Sequence, residues 1–334
     1  MLAELAARVR QSVGILQKQD IQVAARVLGV APDSQILLGD DCAAIPEQEG
    51  YLLLAAEGMW PVLVETEPWF AGWCSVLVNV SDIYAMGGQP IAVVDTVWSQ
   101  SQAKSEPLWA GIKKAAEVYN VPIVGGHTNS SSPYNALSVA ILGRATQLIT
   151  SFNAQPGDKL LMAVDTRGKP HPQHPFWDAA TEANPMQLRE DLVILPQLAQ
   201  TGLCHAGKDI SMGGILGTLL MLMEASGCGA VLNLDAVSCP EVMSLERWLL
   251  CFPSYGFLLS VHPDNVESVQ SQFHTRNLAC QVVGVVLPTQ EIFLQSHRES
   301  VLFWDLSMEE LLDFRQPKFL LDEKFNNCFN NCHA

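Results

Sequence analysis

Four short segments of this chain combine oxygen-bearing side chains with glycine. They are Gly39-Asp40-Asp41-Cys42-Ala43, Asn79-Val80-Ser81-Asp82 with Ala85-Met86-Gly87-Gly88 behind it, Gly125-Gly126-His127-Thr128, and Lys208-Asp209-Ile210-Ser211-Met212-Gly213-Gly214. Magnesium takes oxygen ligands, and glycine lets backbone N–H groups come close to phosphate oxygens. One such turn carries little information. Four of them, set between apolar segments, point to a magnesium–polyphosphate site assembled from distant parts of the sequence.

Each segment also has a plainer reading. Asn79 and Asp82 lie three apart on a predicted helix and share a face among Val76, Val78, Ile83 and Met86. A carboxylate in that setting is costly unless it is paired or bound to a metal, although a local hydrogen bond near the helix end would also serve. Asp40 and Asp41 repel each other, and a cation would relieve this; an ordinary turn also accounts for Gly-Asp. Glu57 ends an apolar run, either facing a crevice beyond the sheet or lying in a solvated turn. His127 ligates a metal, bonds phosphate or caps its turn. Asp209 and Ser211 precede a predicted helix, whose N-terminus favours anions unless Ser211 simply caps it. There is no G-x-x-x-x-G-K-[ST] loop, no G-x-G-x-x-G after a strand, no Cys-x-x-Cys pair and no H-E-x-x-H.

The elements that must carry these residues follow from periodicity. Leu2, Leu5, Val9, Val13 and Leu16 recur at helical spacing. Strands are predicted at 36–38, 51–56, 91–97, 121–124, 137–143, 160–164, 230–234, 256–261 and 280–286. Helices are predicted at 69–86, 102–119, 192–200, 215–226 and 265–273. Strands and helices alternate in two halves, which is an α/β or α+β pattern. Residues 165–187, with Arg167, Lys169, His171, His174 and Trp177, read as a long loop. That loop is either a lid over an anionic acceptor or a solvated surface segment. The expected organisation is a first domain over 1–150, a second over 151–290 starting near Gln155-Pro156-Gly157-Asp158, and a tail over 291–334.

Composition narrows the partners. The 334 residues suggest about two domains. Only 16% are charged, which leaves surface for an oligomer interface. The formal charge of −16 and the lack of a basic run exclude nucleic acid as a natural partner. Nine scattered cysteines and no signal sequence fit a reducing cytoplasm. The apolar run from Gly213 to Met223 stops at Glu224 and is too short to cross a membrane. Cys328, Cys332 and His333 could bind a soft metal but lack a matching ligand pair.

The motif set, in this order over about residues 30–290, resembles the superfamily of aminoimidazole ribonucleotide synthase, thiamine-monophosphate kinase, selenophosphate synthetase and hydrogenase-maturation carbamoyl dehydratase. It is most similar to the branch called AIR synthase-related proteins. The resemblance implies a two-domain AIR-synthase-like α/β (α+β) fold. Its N-terminal domains would form a β-barrel across a homodimer interface, and ATP with Mg2+ would lie between the domains. It implies metal contacts at Asp40, Asp41, Glu57, Asp82 and Asp209. Nucleotide contacts would fall at Asn79, Gly125, Gly126, His127, Thr128 and Ser211. Met212 stands where the kinase branch has a second Asp, and His127 stands where it has an acid. The implied activity is phosphoryl transfer to, or ATP-driven activation of, a small metabolite. The alternative is a catalytically degenerate nucleotide-binding regulator or subunit.

Overall fold

Leu53 and Ala55 are buried while Leu54 and Ala56 face outward, the period of two that an extended strand imposes. That alternation gives the first sheet one covered face and one open face. The computed structural model describes residues 2–28, 36 and 38–312, without the side chains of residues 25, 26 and 28.

In chain order the first half contains helices α1 (Leu2–Arg10), α2 (Val13–Leu16) and α3 (Ile21–Leu28), then strands β1 (Ala43–Glu47) and β2 (Gly50–Gly58). Helices α4 (Pro61–Thr66) and α5 (Pro68–Ala85), strand β3 (Gln89–Trp98), helix α6 (Gln102–Tyr119) and strands β4 (Ile123–Asn129) and β5 (Ala136–Ala145) complete it. The sheet order is β1-β2-β5-β3-β4; β3 and β4 are parallel and the other neighbours antiparallel. Among the described residues this sheet is open, with β1 and β4 as its edges, and no closed barrel forms within the chain.

Helices α5 and α6 cover the buried face, where Val76, Val80, Ile83, Leu108 and Ile112 meet Leu53, Val93, Val97 and Ile141. The two helices touch backbone to backbone. A Cβ at Gly72 would fall 2.2 Å from Leu108 O, and one at Gly111 would fall 2.0 Å from Trp69 O. This contact fixes α5, which carries Asn79 and Asp82. The opposite face shows Leu54, Ile91, Val94 and Val124 to solvent.

The second half begins with β6 (Lys159–Val164), β7 (Lys169–Pro170), β8 (Phe176–Asp178), α7 (Pro185–Leu192) and α8 (Ile194–Gln200). Next come β9 (Ala206–Asp209), α9 (Gly214–Ser226), β10 (Gly229–Asn233), α10 (Leu245–Leu249), β11 (Phe252–Pro253) and β12 (Gly256–Val261). Helix α11 (Val266–His274) and strands β13 (Ala279–Leu287), β14 (Glu291–Ser296) and β15 (Glu299–Asp305) end it. Seven strands form one sheet in the order β15-β14-β10-β13-β6-β12-β9. Helix α9 is buried from Gly214 to Met223, so its unbroken apolar run is a core helix of this half. Among the described residues no helix is long and apolar enough to cross a membrane.

Four differences from the sequence reading have physical causes. The N-terminal stripe breaks after Arg10, so Ile15 is buried whereas Val13 and Leu16 are exposed. Residues 291–305 are not tail but two strands, because β14 pairs with β10 and β15 with β14. Gly125 to Thr128 lie within β4 rather than in a turn after it, held in register against β3. Ile36 and Leu38 are bends and Leu37 lies outside the described residues; the strand beside the Gly-Asp-Asp segment is β1, which follows it. Cys328, Cys332 and His333 also lie outside the described residues.

Candidate functional site

Three of the predicted acids converge. Asp41 comes from the turn before β1, Asp82 from the last turn of α5, and Asp209 from the end of β9. One carboxylate oxygen from each lies within 4.8 Å of the others. Packing positions them: α5 lies against β9, and Asp209 O accepts from Thr218 Oγ1 of α9 at 3.1 Å. The turn leading into α9 needs left-handed backbone at Gly213 (φ 104°) and Gly214 (φ 63°), where a Cβ on Gly214 would strike Leu249 O at 2.3 Å.

The three acids are not equally satisfied. Asp41 Oδ1 accepts from the Lys208 ammonium, and Asp41 Oδ2 accepts from the Asp209 backbone N–H at 3.2 Å. Asp82 is buried, and its Oδ2 has no hydrogen-bond partner. Burial drives the Asp82 carboxyl well above the usual range, with Asp209, Glu57 and Asp41 adding to the effect and Lys208 opposing it. Burial, then Asp41, pushes Asp209 up to about 8. Burial pulls Lys208 down, but Asp41, Asp40 and Asp209 outweigh it and hold the ammonium above the usual lysine value.

An all-oxygen donor set suits a hard divalent cation. A buried oxygen without a partner is a group that such an ion would satisfy. The residues present therefore fit magnesium.

The other predicted residues fall on either side of this group. Glu57 is outside the 4.8 Å cluster but within the charge field of Lys18, Asp41 and Lys208. Ser211 Oγ meets Lys18 Nζ at 3.4 Å, and Gly213, not Ser211, caps α9. Asp40 turns away: its oxygens accept from Ser151 Oγ at 2.6 Å, Ser151 N at 2.8 Å and Asp41 N at 3.0 Å. In this structure it braces the turn, where the resemblance implies a metal contact.

Asn79 is wholly buried and donates to Ser75 O at 2.8 Å and Val139 O at 3.1 Å, tying α5 to β5. Gly125, Gly126, His127 and Thr128 are exposed on β4 and pair with Val94, Asp95, Thr96 and Val97. A Cβ at Gly126 would fall 2.4 Å from Asp95 O, so this glycine serves strand packing.

Lys208 falls within the fourth segment but has no role assigned from sequence, and Lys18 and Ser151 lie outside the four segments. Lys208 sits beside Asp209, and its adjacency to an acid in a short buried strand was the available signal. Ser151 and Lys18 gave none, because their roles exist only once the chain has folded back on itself.

Glu67, His171 and His174 form a second close group. His171 Nε2 lies 3.1 Å from Glu67 Oε2, and His174 Nε2 lies 3.6 Å from Glu67 Oε1. However, His171 Nδ1 accepts from the backbone N–H of Gln173 at 3.3 Å and of His174 at 3.2 Å. That leaves the ring proton on Nε2, directed at Glu67, where a metal would need a lone pair. Glu67 and His171 thus form a hydrogen-bonded clasp between the N-cap of α5 and the 165–187 segment, while Glu67 Oε1 and His174 Nε2 are buried without a hydrogen-bond partner. The basic side chains of that segment are engaged elsewhere too: Arg167 pairs with Asp165 and Asp191, and Lys169 with Glu182. Trp177 is core. A cavity of about 420 Å³ beside them is lined by Asp165, Arg167, Asp178, Thr181 and Glu182 among others.

Comparison with known proteins agrees with this architecture. Residues 39–145 match the model of the AIR synthase related protein, N-terminal domain, and residues 161–297 match that of the C-terminal domain. The uncharacterized protein sll0787 of Synechocystis sp. is 55% identical over 94% of this chain and 99% of its own length. The thiamine-monophosphate kinase of Synechococcus elongatus is 27% identical over 80% of this chain and 89% of its own.

Among solved structures, T. maritima PurL complexed with ATP aligns with a TM-score of 0.72 at 19% identity, over 90% of this chain and 50% of that one. The chain thus spans about half the length of that PurL. AaThiL complexed with AMPPCP and TMP aligns with a TM-score of 0.64 at 18% identity, over 84% and 93%. At these identities the two structures speak to fold alone.

Proposed function

The chain belongs to the AIR synthase related family, and on that premise we propose that it binds ATP with magnesium and uses it to phosphorylate or activate a small metabolite. The observation that carries this reading is the convergence of Asp41, Asp82 and Asp209 from three separate segments, with Asp82 Oδ2 buried and unpartnered. These three acids frame the metal position, and Glu57 borders it. When bound, magnesium supplies charge neutralisation for the nucleotide's phosphates.

The chain's own groups do the rest. Lys18 and Ser211 stand beside the acids, where a hydroxyl and an ammonium can meet phosphate oxygens. The Asp209–Thr218 bond fixes the strand end against α9. Phosphoryl transfer depends mainly on such positioning and on charge compensation, so no side-chain nucleophile is required. Thiamine-monophosphate kinase, and PurL and AaThiL with bound nucleotide, are relatives whose names accord with ATP use.

We also propose that the exposed apolar face holding Leu54, Ile91, Val94 and Val124 pairs two copies of the chain, completing a barrel across a homodimer. A cytoplasmic enzyme without nucleic-acid or membrane partners fits the same reading.

A second reading is favoured by one residue. Met212 follows Ser211 and packs partly buried against a core cluster drawn from both halves, its side chain offering no ligand oxygen. The protein would then bind nucleotide as a regulator without turnover. Screening small phosphate acceptors for ADP release over many turnovers tests the choice: sustained release with one acceptor supports the enzyme, and binding without release supports the regulator.

A further inference from the structure

The three clustered carboxylates share their site with a cation that belongs to the chain. The Lys208 side chain is 6% exposed, and its ammonium donates to Asp41 Oδ1. Three carboxylates against one ammonium leave a deficit of two charges, which is the charge of a single divalent ion. Among the flanking groups, Asp40 adds to the negative field at Lys208 without joining the cluster. Glu57 and Lys18 carry one charge of each sign, and Asp40 is turned to Ser151.

The hydrogen bonds divide the group in the same way. Asp41 has both oxygens engaged, one by Lys208 and one by the Asp209 N–H. Asp82 has a buried oxygen with no partner. The lysine therefore occupies the Asp41 side, and the Asp82–Asp209 side is the one that lacks a counter-charge.

We propose that Lys208 is a resident cation of the site: it neutralises Asp41 where a second metal ion would otherwise sit, and it limits the protein shell to one divalent ion held chiefly by Asp82 and Asp209. This inference rests on the magnesium–nucleotide reading above. Lys208 is in this view a positioning residue that sets metal number. Any further ion would enter only with the nucleotide's own phosphates.

The test uses Mn2+ as the probe on the full chain without nucleotide, counting bound ions from the electron paramagnetic resonance signal of free Mn2+. Wild type is expected to bind one ion. Lys208→Met should bind Mn2+ at least about tenfold more tightly or take up a second ion, because a fixed positive charge next to the ligands is gone. Lys208→Arg keeps the charge and should match wild type within about threefold.

Two ions in wild type, or an unchanged count and affinity in Lys208→Met, would overturn the inference while leaving the nucleotide site intact. No Mn2+ bound by wild type, with or without ATP, would remove the underlying reading as well. Should Lys208→Met fail to fold, the wild-type count still decides, since two ions contradict the inference and one ion, shared by Lys208→Arg, upholds it.

Discussion

Asp41 and Asp209 are joined through the main chain: the Asp209 N–H donates to Asp41 Oδ2 at 3.2 Å. This bond locks the turn before β1 to the end of β9, so one half of the chain presents its acid to the other half. The carboxylates are thus held together by the fold before any ion arrives, and their mutual repulsion is stored in the metal-free protein.

Burial of Asp82 and Asp209, with the repulsion between the acids added to it, sets a pH dependence. The folded-state values of Asp209, about 8, and of Asp82, higher than usual, lie above the unfolded value near 3.8. The metal-free folded protein then holds protons that the unfolded chain has released, so its stability falls as pH rises from about 4 to about 8. Magnesium competes with those protons, so the stabilisation it confers should grow over the same window. Thermal melts across this range, with and without Mg2+, check both signs. Magnesium stabilisation that is flat with pH would contradict the assignment.

Asp40 and Asp82 should separate cleanly. Asp40→Asn keeps one acceptor for Ser151 and should cost about 1 kcal/mol of stability. Its Mg-ATP affinity should stay within about threefold of wild type, because Asp40 braces the turn and does not face the ion. Calorimetry on the variant, with a urea melt beside it, measures both quantities. A large loss of Mg-ATP affinity without loss of stability would return Asp40 to the metal.

The α5–α6 contact tolerates no side chain. Gly111→Ala would place its Cβ 2.0 Å from Trp69 O, and the forced separation should cost about 1–3 kcal/mol or more. Because α5 carries Asp82, Mg-ATP binding should weaken in any variant that still folds. Denaturant unfolding measures the first effect and calorimetry the second.

The clasp at Glu67 should behave as a hydrogen-bonded pair. A double-mutant cycle of Glu67→Ala with His171→Ala should give a coupling of about 0.5–1.5 kcal/mol. Added Zn2+ should leave the wild-type melting temperature unchanged. A rise with Zn2+ that disappears in His171→Ala would instead make the group a metal centre.

Local pattern revealed more of the fold than of the site. Helix α6 is legible at its full span because residues 102–119 form one continuous helical run, and β12 because the apolar residues Phe257, Leu258, Leu259 and Val261 lie between Pro253 and Pro263. Strands β14 and β15 were missed because Glu291, Gln295 and Glu299 dilute their alternation, and only pairing with β10 makes them strands.

At the site, Asp82 was legible from a carboxylate set among apolar helix residues, and Asp209 from its place before Gly213-Gly214. Asp40 and Asp41 could not be told apart, since which of two adjacent acids turns inward depends on Ser151, 111 residues away. Gly125 and Gly126 read as a phosphate turn because glycine is equally at home in a loop and in a strand; at Gly126 the neighbouring Asp95 leaves no room for a side chain, whereas Gly125 has no such crowding.

The most direct test is calorimetry of ATP binding to wild type and to Asp82→Ala, each with and without Mg2+. The account predicts that wild type binds ATP in a magnesium-dependent manner and that Asp82→Ala, though folded, loses that dependence. Mg-ATP binding by Asp82→Ala equal to that of wild type, or none by folded wild type, would contradict it.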